Sequence, residues 1–402
     1  MERSIRRTET GGLRTLLRHT ILPASCWAIA SFGGDAAQSP PKVTPPFALE
    51  ARGKPAPIDQ QWELRQPPGG SLGLFVSMVR CDADVYLIDT EYRVYQFNVT
   101  TEGLLSLVAD EGVGLGRPTA LATDCAAHRL YVVNDGPKTV TRIGLGSGDV
   151  LGKLPFPKTI FDVHSAHFVP PDTLFLGGFD KPDEEEFVIS AHRPESFYDG
   201  VRIGMKLSLT TGLAERGFQP YERGCVGAGS CFTVDVDHIP AAGGRGAAVW
   251  VAAQATSTAV GLYDEQRALI RRVEMASPMF LRNGEELPTS TKAPDRLRWT
   301  GRNSVIRRVF GFPGCVAVVH TQTEIGPDWR PGQINQFKVF MNLLSLDGNA
   351  LVSDIRLPDI PIGRDQTHLY VIDYGKNGRQ PGLSVVRLLR IPVKPGEGAF
   401  QP

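Results

Sequence analysis

The chain has 402 residues, of which 42% are hydrophobic, so it is long enough to bury an extensive core. Its 43 Lys and Arg residues are matched by 43 Asp and Glu residues. This balance gives no basis for attraction to nucleic acid or to an anionic membrane surface, and we expect neither as a partner. The 43 Gly and 31 Pro residues supply the many turns that short strands need.

The first 37 residues are predicted to be a signal peptide. A basic stretch, residues 1–20, is followed by the apolar run Ile21–Phe32, which is too short to span a bilayer but has the length of a signal-peptide core. Small residues follow, and cleavage is expected after Ala36 or Ala37. The mature protein is therefore predicted to be exported, to the periplasm or the extracellular space, and to have no transmembrane helix.

A short phrase recurs six times along the rest of the chain: a hydrophobic residue, an aromatic residue in most copies, then small or β-branched apolar residues. The copies are Val85–Asp89, Leu130–Asn134, Leu174–Gly178, Val249–Ala253, Val316–His320 and Leu369–Asp373. Such residues fit a buried strand, and their recurrence is typical of propeller blades. We therefore predict an all-β fold, a six-bladed β-propeller of four-stranded antiparallel blades that occupies residues 58–402 after a proline-rich linker at residues 38–57.

Blade two carries the clearest family resemblance. Gly116–Asp124 is followed by Arg129–Asp135 and Thr139–Ile143, the order of strands in one NHL-type repeat. The chain resembles the NHL-like and TolB-like six-bladed propellers that are common among exported bacterial proteins. The resemblance implies an architecture and says little about activity, because propellers serve many functions.

Blade six is short of strands, because the chain ends soon after Ser384–Ile391. An open ring would leave a sheet edge exposed, and closed propellers avoid this by using one terminus to complete the last blade. We therefore expect the N-terminal segment Gln61–Arg65, with Trp62 at its centre, to supply the outer strand of blade six.

The cysteines are compatible with an oxidising compartment. Cys225 and Cys231 enclose a flexible stretch and are the favoured disulfide, with two free thiols as the alternative. Cys81 and Cys125 precede equivalent strands in consecutive blades, and a bridge between them is the less favoured interpretation. Cys315 is expected to be a buried small hydrophobic residue, and Cys26 leaves a lipid anchor open.

Polar residues that follow the repeated phrase form one candidate metal site. Asp89, Asn134, His320 and Asp373 come from different blades, and equivalent positions of a propeller form a ring. Oxygen and imidazole ligands suit a divalent cation. The alternative is that each residue hydrogen-bonds the turn that follows it.

A second cluster lies on two predicted innermost strands, Phe161–His167 and Val234–His238. It comprises His164, His167, Asp235, Asp237 and His238. These side chains could bind a metal ion or act as general acid and base, or they could simply form a solvated lining of the channel. Because His164 and His167 are three apart on a strand, only one of them is expected to face the channel.

Three insertions exceed what a turn between strands needs: Asp180–Leu207, Met275–Trp299 and Thr321–Gln336. They carry residue types favoured as binding anchors, namely Phe197, Tyr198, Phe280, Trp299, Trp329 and Arg330. The leading hypothesis is a monomeric, non-catalytic exported protein that binds a protein, peptide or glycan through rim loops and needs no cofactor. The alternative is a lactonase-, esterase- or lyase-type propeller hydrolase that uses a divalent cation at the channel mouth.

Overall fold

The computed structural model describes residues 49–50, 53–67, 71–101, 104–181, 200–221, 234–239, 249–255, 257–275, 277–281, 301–324, 336–375 and 382–393. It confirms the predicted fold: six antiparallel sheets of four core strands each form the blades of a ring. The ring belongs to one compact unit, residues 40–402. No helix in these described ranges is long and apolar enough to cross a membrane.

The strands follow the chain blade by blade. Two strands precede blade one, β1 (Leu49–Glu50) and β2 (Gln60–Arg65). Blade one contains β3 (Phe75–Cys81), β4 (Asp84–Asp89), β5 (Val94–Asn98) and β6 (Ser106–Ala109), and a 3-10 turn, Glu111–Val113, leads to blade two. Blade two contains β7 (Pro118–Asp124), β8 (Arg129–Asn134), β9 (Thr139–Gly144) and β10 (Val150–Pro155). Blade three contains β11 (Ile160–Val169), β12 (Thr173–Asp180), β13 (Arg202–Ser208), β14 (Ala214–Glu215) and β15 (Gln219–Pro220).

The last three blades repeat this order. Blade four contains β16 (Val234–Ile239), β17 (Val249–Gln254), β18 (Ala259–Tyr263) and β19 (Leu269–Glu274). Blade five contains β20 (Val305–Phe312), β21 (Cys315–Glu324), β22 (Gln336–Ser345) and β23 (Ala350–Leu357). Blade six contains β24 (Pro361–Arg364), β25 (His368–Asp373) and β26 (Val385–Pro392). All six copies of the repeated phrase lie in the second strand of a blade, and these strands are the most deeply buried.

The N-terminal strand closes the ring, as predicted. Strand β2 pairs antiparallel with β26 and so becomes the outer strand of blade six. Leu64 is fully buried in the interface with blade one. Trp62 stacks on Tyr370 and donates a hydrogen bond from Nε1 to the Val99 carbonyl at 3.2 Å. One short strand thus links blade six to blade one.

Part of the segment predicted to be a linker also contacts the ring. Strand β1 pairs in parallel with β23, and Ala56 is buried in the core of blade five. The backbone amide of Ala56 donates to the Arg356 carbonyl at 2.8 Å. Residues 49–50 and 53–56 therefore run along the outer edge of blade five before the chain reaches blade six.

The hydrophobic core is divided among the interfaces between neighbouring blades. Six of the buried clusters each combine side chains from two adjacent blades, in the order one–two, two–three, three–four, four–five, five–six and six–one. The aromatic residue of the repeated phrase fills such an interface. Phe175 of blade three, for example, stacks on Trp250 of blade four with ring centroids 3.6 Å apart. Each blade therefore depends on its neighbours for burial.

The two ends of the ring differ in their connections. We call the end where the innermost strands begin the loop face, and the end where they finish the turn face. The connections at residues 181–201, 221–233, 275–304, 325–335 and 374–384 all join strand ends at the loop face. At the turn face the longest connection between the described strands is residues 240–248.

A disulfide joins blades one and two at the turn face. Cys81 ends β3, Cys125 follows β7, and their Cα atoms are 5.6 Å apart, within the range of protein disulfides. The structure therefore shows the Cys81–Cys125 bridge, which was the less favoured interpretation of the sequence. Cys225 and Cys231 lie outside the described residues, so their pairing stays a prediction. Cys315 is a buried free thiol, and burial raises its pKa to about 11.

Candidate site in the central channel

A cavity of about 280 Å³ occupies the half of the channel toward the turn face. All six innermost strands line it, because successive blades turn one face of their first strand toward the ring axis. Its polar side chains are Ser77, Arg80, Thr123, Ser165, His167, Asp235, Asp237, His238, Arg308 and Arg364. Acidic, basic and imidazole groups therefore converge in one small cavity.

Asp237 is the most strongly bound of these groups. Arg364 of blade six contacts both carboxylate oxygens, Nε with Oδ2 at 2.5 Å and Nη2 with Oδ1 at 2.9 Å. The backbone amides of Gly311 and His238 donate to the same carboxylate. Burial alone would raise the pKa of Asp237, but the charge of Arg364 and the hydrogen bonds from its side chain hold that pKa well below its usual range. Asp237 is therefore a poor general base, because its low pKa makes it a weak proton acceptor and both of its oxygens are already hydrogen-bonded.

His167 and His238 flank Asp237. Nδ1 of His167 lies 3.3 Å from Asp237 Oδ1, and Nδ1 of His238 lies 3.5 Å from the same oxygen. The other ring nitrogen of His167 contacts the Val236 carbonyl at 2.7 Å. Burial lowers the pKa of His167 to about 4, so the ring is neutral at physiological pH. His238 Nδ1 is buried and has no hydrogen-bond partner among the described residues.

Asp235 and Arg308 form a looser pair beside this group. Arg308 Nε is 3.7 Å from Asp235 Oδ2, which also accepts a hydrogen bond from the Val309 amide at 2.9 Å. Asp235 Oδ1 and Arg308 Nε have no hydrogen-bond partner within the described part of the chain. Burial raises the pKa of Asp235, although the Arg308 charge opposes the shift. One acceptor and one donor are therefore buried beside the cavity without a hydrogen bond to any described residue.

The structure thus brings four of the five predicted channel residues together and leaves His164 apart. A β-bulge lies between Phe161 and Ser165, and His164 does not line the cavity. Burial lowers the pKa of the His164 imidazole, and its backbone carbonyl accepts a hydrogen bond from Arg308 Nη1. The expectation that only one of the two histidines faces this part of the channel agrees with the placement of His167.

The candidate ring of Asp89, Asn134, His320 and Asp373 does not assemble into one site. Asp89 is paired with Arg93 and accepts hydrogen bonds from the turn that follows it. Asn134 bonds to its own hairpin, and Asp373 pairs with Arg387 and the Gly375 amide. His320 packs between Phe280 and Phe340. Asp89, His320 and Asp373 form no cluster of metal-ligating atoms. The alternative of local hydrogen bonding describes Asp89, Asn134 and Asp373 better, whereas His320 is held by aromatic packing.

Other predicted binding residues cannot be placed in the same way. Phe197, Tyr198, Trp299, Trp329 and Arg330 lie outside the described residues, so their roles stay predictions. Phe280 is described, and it is buried against His320 rather than presented at a rim.

Sequence reasoning missed Arg364 and Arg308. Arg364 is separated from Asp237 by 127 residues, and no local motif links them. The available signal was an arginine on each of two short strands that must line a channel containing carboxylates. Because a buried charge needs a partner, that signal could have pointed to these arginines as the partners of Asp235 and Asp237.

Comparisons with known proteins support the architecture. No protein-family model and no curated protein matches the chain. A DUF4221 family member from Bacteroides vulgatus has a similar structure, with a TM-score of 0.57 and 12% identity over 84% of this chain and 98% of that one. A second structure, named "Putative exported protein", from Bacteroides fragilis, gives a TM-score of 0.51 and 9% identity over 87% of this chain and 100% of the other. At such identities the likeness shows a shared fold.

Proposed function

We propose that this chain is a non-catalytic binding propeller that acts outside the cytoplasm and presents its loop face to a protein, peptide or glycan. The observation that carries the proposal is the asymmetry of the ring. The five longest connections between the described strands all join strand ends at the loop face. Loops held on a rigid scaffold are the usual place for recognition. We also propose that the propeller is of the NHL-like or TolB-like type.

Two further observations support it. The inter-blade disulfide Cys81–Cys125 suits an oxidising compartment, and the protein of similar fold from Bacteroides fragilis is named as exported. In the channel, Asp237 is held ionised by Arg364 and two backbone amides, which gives hydrolysis by acid–base catalysis less support than binding.

The test shortens the loop-face connections one at a time. Residues 183–199, 283–299 and 326–334 are each replaced by a short Gly-Ser turn, and residues 241–247 at the turn face are replaced in the same way as the matched control. Each variant is checked by circular dichroism and thermal unfolding, then used to capture proteins from an envelope extract of the native host and to probe a glycan array. We expect at least one loop-face variant to stay folded and lose a ligand that the control retains. If all three stay folded and keep every ligand, the loop face is not the binding surface.

A further inference from the structure

We propose that His167, Asp237 and His238 form a binding site for a divalent transition metal ion, Zn²⁺ in the first instance, in the central channel. These are the three residues in the described part of the chain whose ligand atoms gather closely enough, all lying within 4.8 Å of one another. Two imidazoles and one carboxylate are a ligand set typical of zinc. The site lies toward the turn face, so it is independent of the loop-face proposal.

The ligand atoms have the spacing that a zinc ion requires. Zinc binds nitrogen and oxygen at about 2.0–2.2 Å, so two ligands of a tetrahedral ion are separated by roughly 3.3–3.6 Å. Asp237 Oδ1 is 3.3 Å from His167 Nδ1 and 3.5 Å from His238 Nδ1. Both separations lie within that range. One ion can therefore contact Oδ1 and either imidazole with little movement of the strands.

The hydrogen bonding of His167 determines which of its ring nitrogens can bind the ion. A carbonyl oxygen only accepts, so the 2.7 Å contact between His167 Nε2 and the Val236 carbonyl requires Nε2 to donate. Nδ1 is then the ring nitrogen that faces Asp237 Oδ1, at 3.3 Å, and it is the atom of His167 that can bind an ion lying between them. Donation from the second ring nitrogen to a backbone carbonyl is also the arrangement that orients metal-bound histidines.

Arg364 determines what must change when the ion binds. Oδ1 of Asp237 already accepts hydrogen bonds from the His238 amide and from Arg364 Nη2, which use both of its lone pairs. Nη2 has a second acceptor, the His238 carbonyl at 2.9 Å, and Nε remains on Oδ2. Arg364 can therefore release Oδ1 without losing its other contacts. Its positive charge will reduce the affinity for a cation.

The cavity leaves room for a ligand on the bound ion. Three protein ligands leave at least one coordination position of a tetrahedral ion open. The ligand residues line the cavity of about 280 Å³, so that position is filled by water or by an oxygen of a bound molecule. Asp235 Oδ1 and Arg308 Nε lie beside the same cavity and have no hydrogen bond among the described residues. We infer a site for a small oxygen-bearing ligand held by the ion.

The experiment uses tag-free protein, treated with a chelator and exchanged into metal-free buffer. Titration calorimetry with Zn²⁺ gives stoichiometry and affinity, and Co²⁺ absorption in the visible range reports coordination geometry. The variants are His167→Ala, His238→Ala and the double variant, with His128→Asn and His164→Ala as matched histidine controls. A sixth variant, Arg364→Gln, tests the charge argument.

We expect one Zn²⁺ per chain and the intense visible bands of tetrahedral Co²⁺. Each single ligand variant should lose at least about tenfold in affinity, and the double variant should lose the site, while both controls bind as the native chain does. Arg364→Gln, if folded, should bind Zn²⁺ more tightly. The proposal is overturned if the native chain takes up no stoichiometric Zn²⁺, or if the double variant binds it unchanged. Neither result affects the loop-face experiment.

Discussion

At the scale of single residues, Asp237 connects more of the molecule than any local motif indicates. Its carboxylate lies on β16 of blade four, accepts the Gly311 amide of blade five and pairs with Arg364 of blade six. Three successive blades thus meet at one buried charge. A buried pair of this kind contributes little when compared with an apolar pair, but removing one partner leaves the other charge uncompensated.

Asp237→Ala should therefore destabilise the ring by about 3–5 kcal/mol, measured by urea unfolding at neutral pH. The control is Asp373→Ala, because the Asp373–Arg387 pair is partly exposed, with Arg387 half exposed to solvent. We expect that change to cost no more than about 1 kcal/mol. Equal losses for the two variants would contradict a special role for the Asp237–Arg364 pair.

His320 has a different consequence, because it is buried between aromatic rings. Both ring nitrogens lack hydrogen bonds among the described residues, and Asp354 Oδ1 is 3.9 Å from Nε2. Burial lowers the pKa of His320 from 6.5 to about 3. Between these values the unfolded chain binds a proton that the folded chain does not, so the free energy of unfolding falls as the pH is lowered through this window.

The prediction is that His320→Leu flattens the pH dependence of stability between pH 6.5 and pH 3. Chemical unfolding at several pH values measures the slope, and the comparison uses slopes because the substitution also alters packing. His128→Asn is the control, since His128 is exposed in a turn with a positive φ that asparagine tolerates. A variant whose slope matches the native chain would show that His320 does not contribute to acid sensitivity.

At the scale of elements, strand β2 determines whether the ring is closed. Without it β26 would be an edge strand, and the apolar groove between blades six and one would lose Trp62 and Leu64. Leu64→Ala should cost about 2–5 kcal/mol, and deletion of residues 58–66 should cost at least as much. Ile58→Ala is the control, because Ile58 is half exposed and should change stability by less than about 0.5 kcal/mol. Unchanged thermal unfolding after the deletion would refute closure by this strand.

The Cys81–Cys125 disulfide links two other elements, the ends of β3 and β7. It closes a loop with a sequence separation of 44 residues, for which chain-entropy models give a stabilisation of about 4 kcal/mol. Peptide mapping of the unreduced protein should recover these cysteines in one linked fragment. A reducing agent should lower the thermal stability of the native chain, with a smaller effect on the Cys81→Ala/Cys125→Ala variant. Recovery of both cysteines as free thiols would contradict the bridge.

At the scale of the whole molecule, the sequence predicted the architecture because the information is local and repeated. Six copies of one buried strand pattern mark the second strand of each blade, and the end of the pattern in blade six implied a missing partner. The site could be predicted only in part. The residues on β11 and β16 were identified from their strands, but the arginines that pair with them are distant in sequence, and the bulge before Ser165 alters the alternation that would place His164.

The compartment is also a property of the whole chain. Export predicts a mature N-terminus just after residue 36 or 37, which N-terminal sequencing of protein from the native host can determine. The Cys81–Cys125 disulfide is expected in the same material, because an exported protein reaches an oxidising compartment in which disulfides persist. A mature chain that retains residues 1–36 would contradict the predicted cleavage.

Closure by β2 also sets the order of events during synthesis. Gln60 and its partner Arg390 are separated by 330 residues, so strand β2 is synthesised long before the strand that it must meet. Blades one to five can pair locally as they emerge, whereas blade six must wait for nearly the whole chain. The last contact formed is therefore the one that closes the ring, and a chain interrupted before β26 is left with an unpaired edge on β2 and on β25.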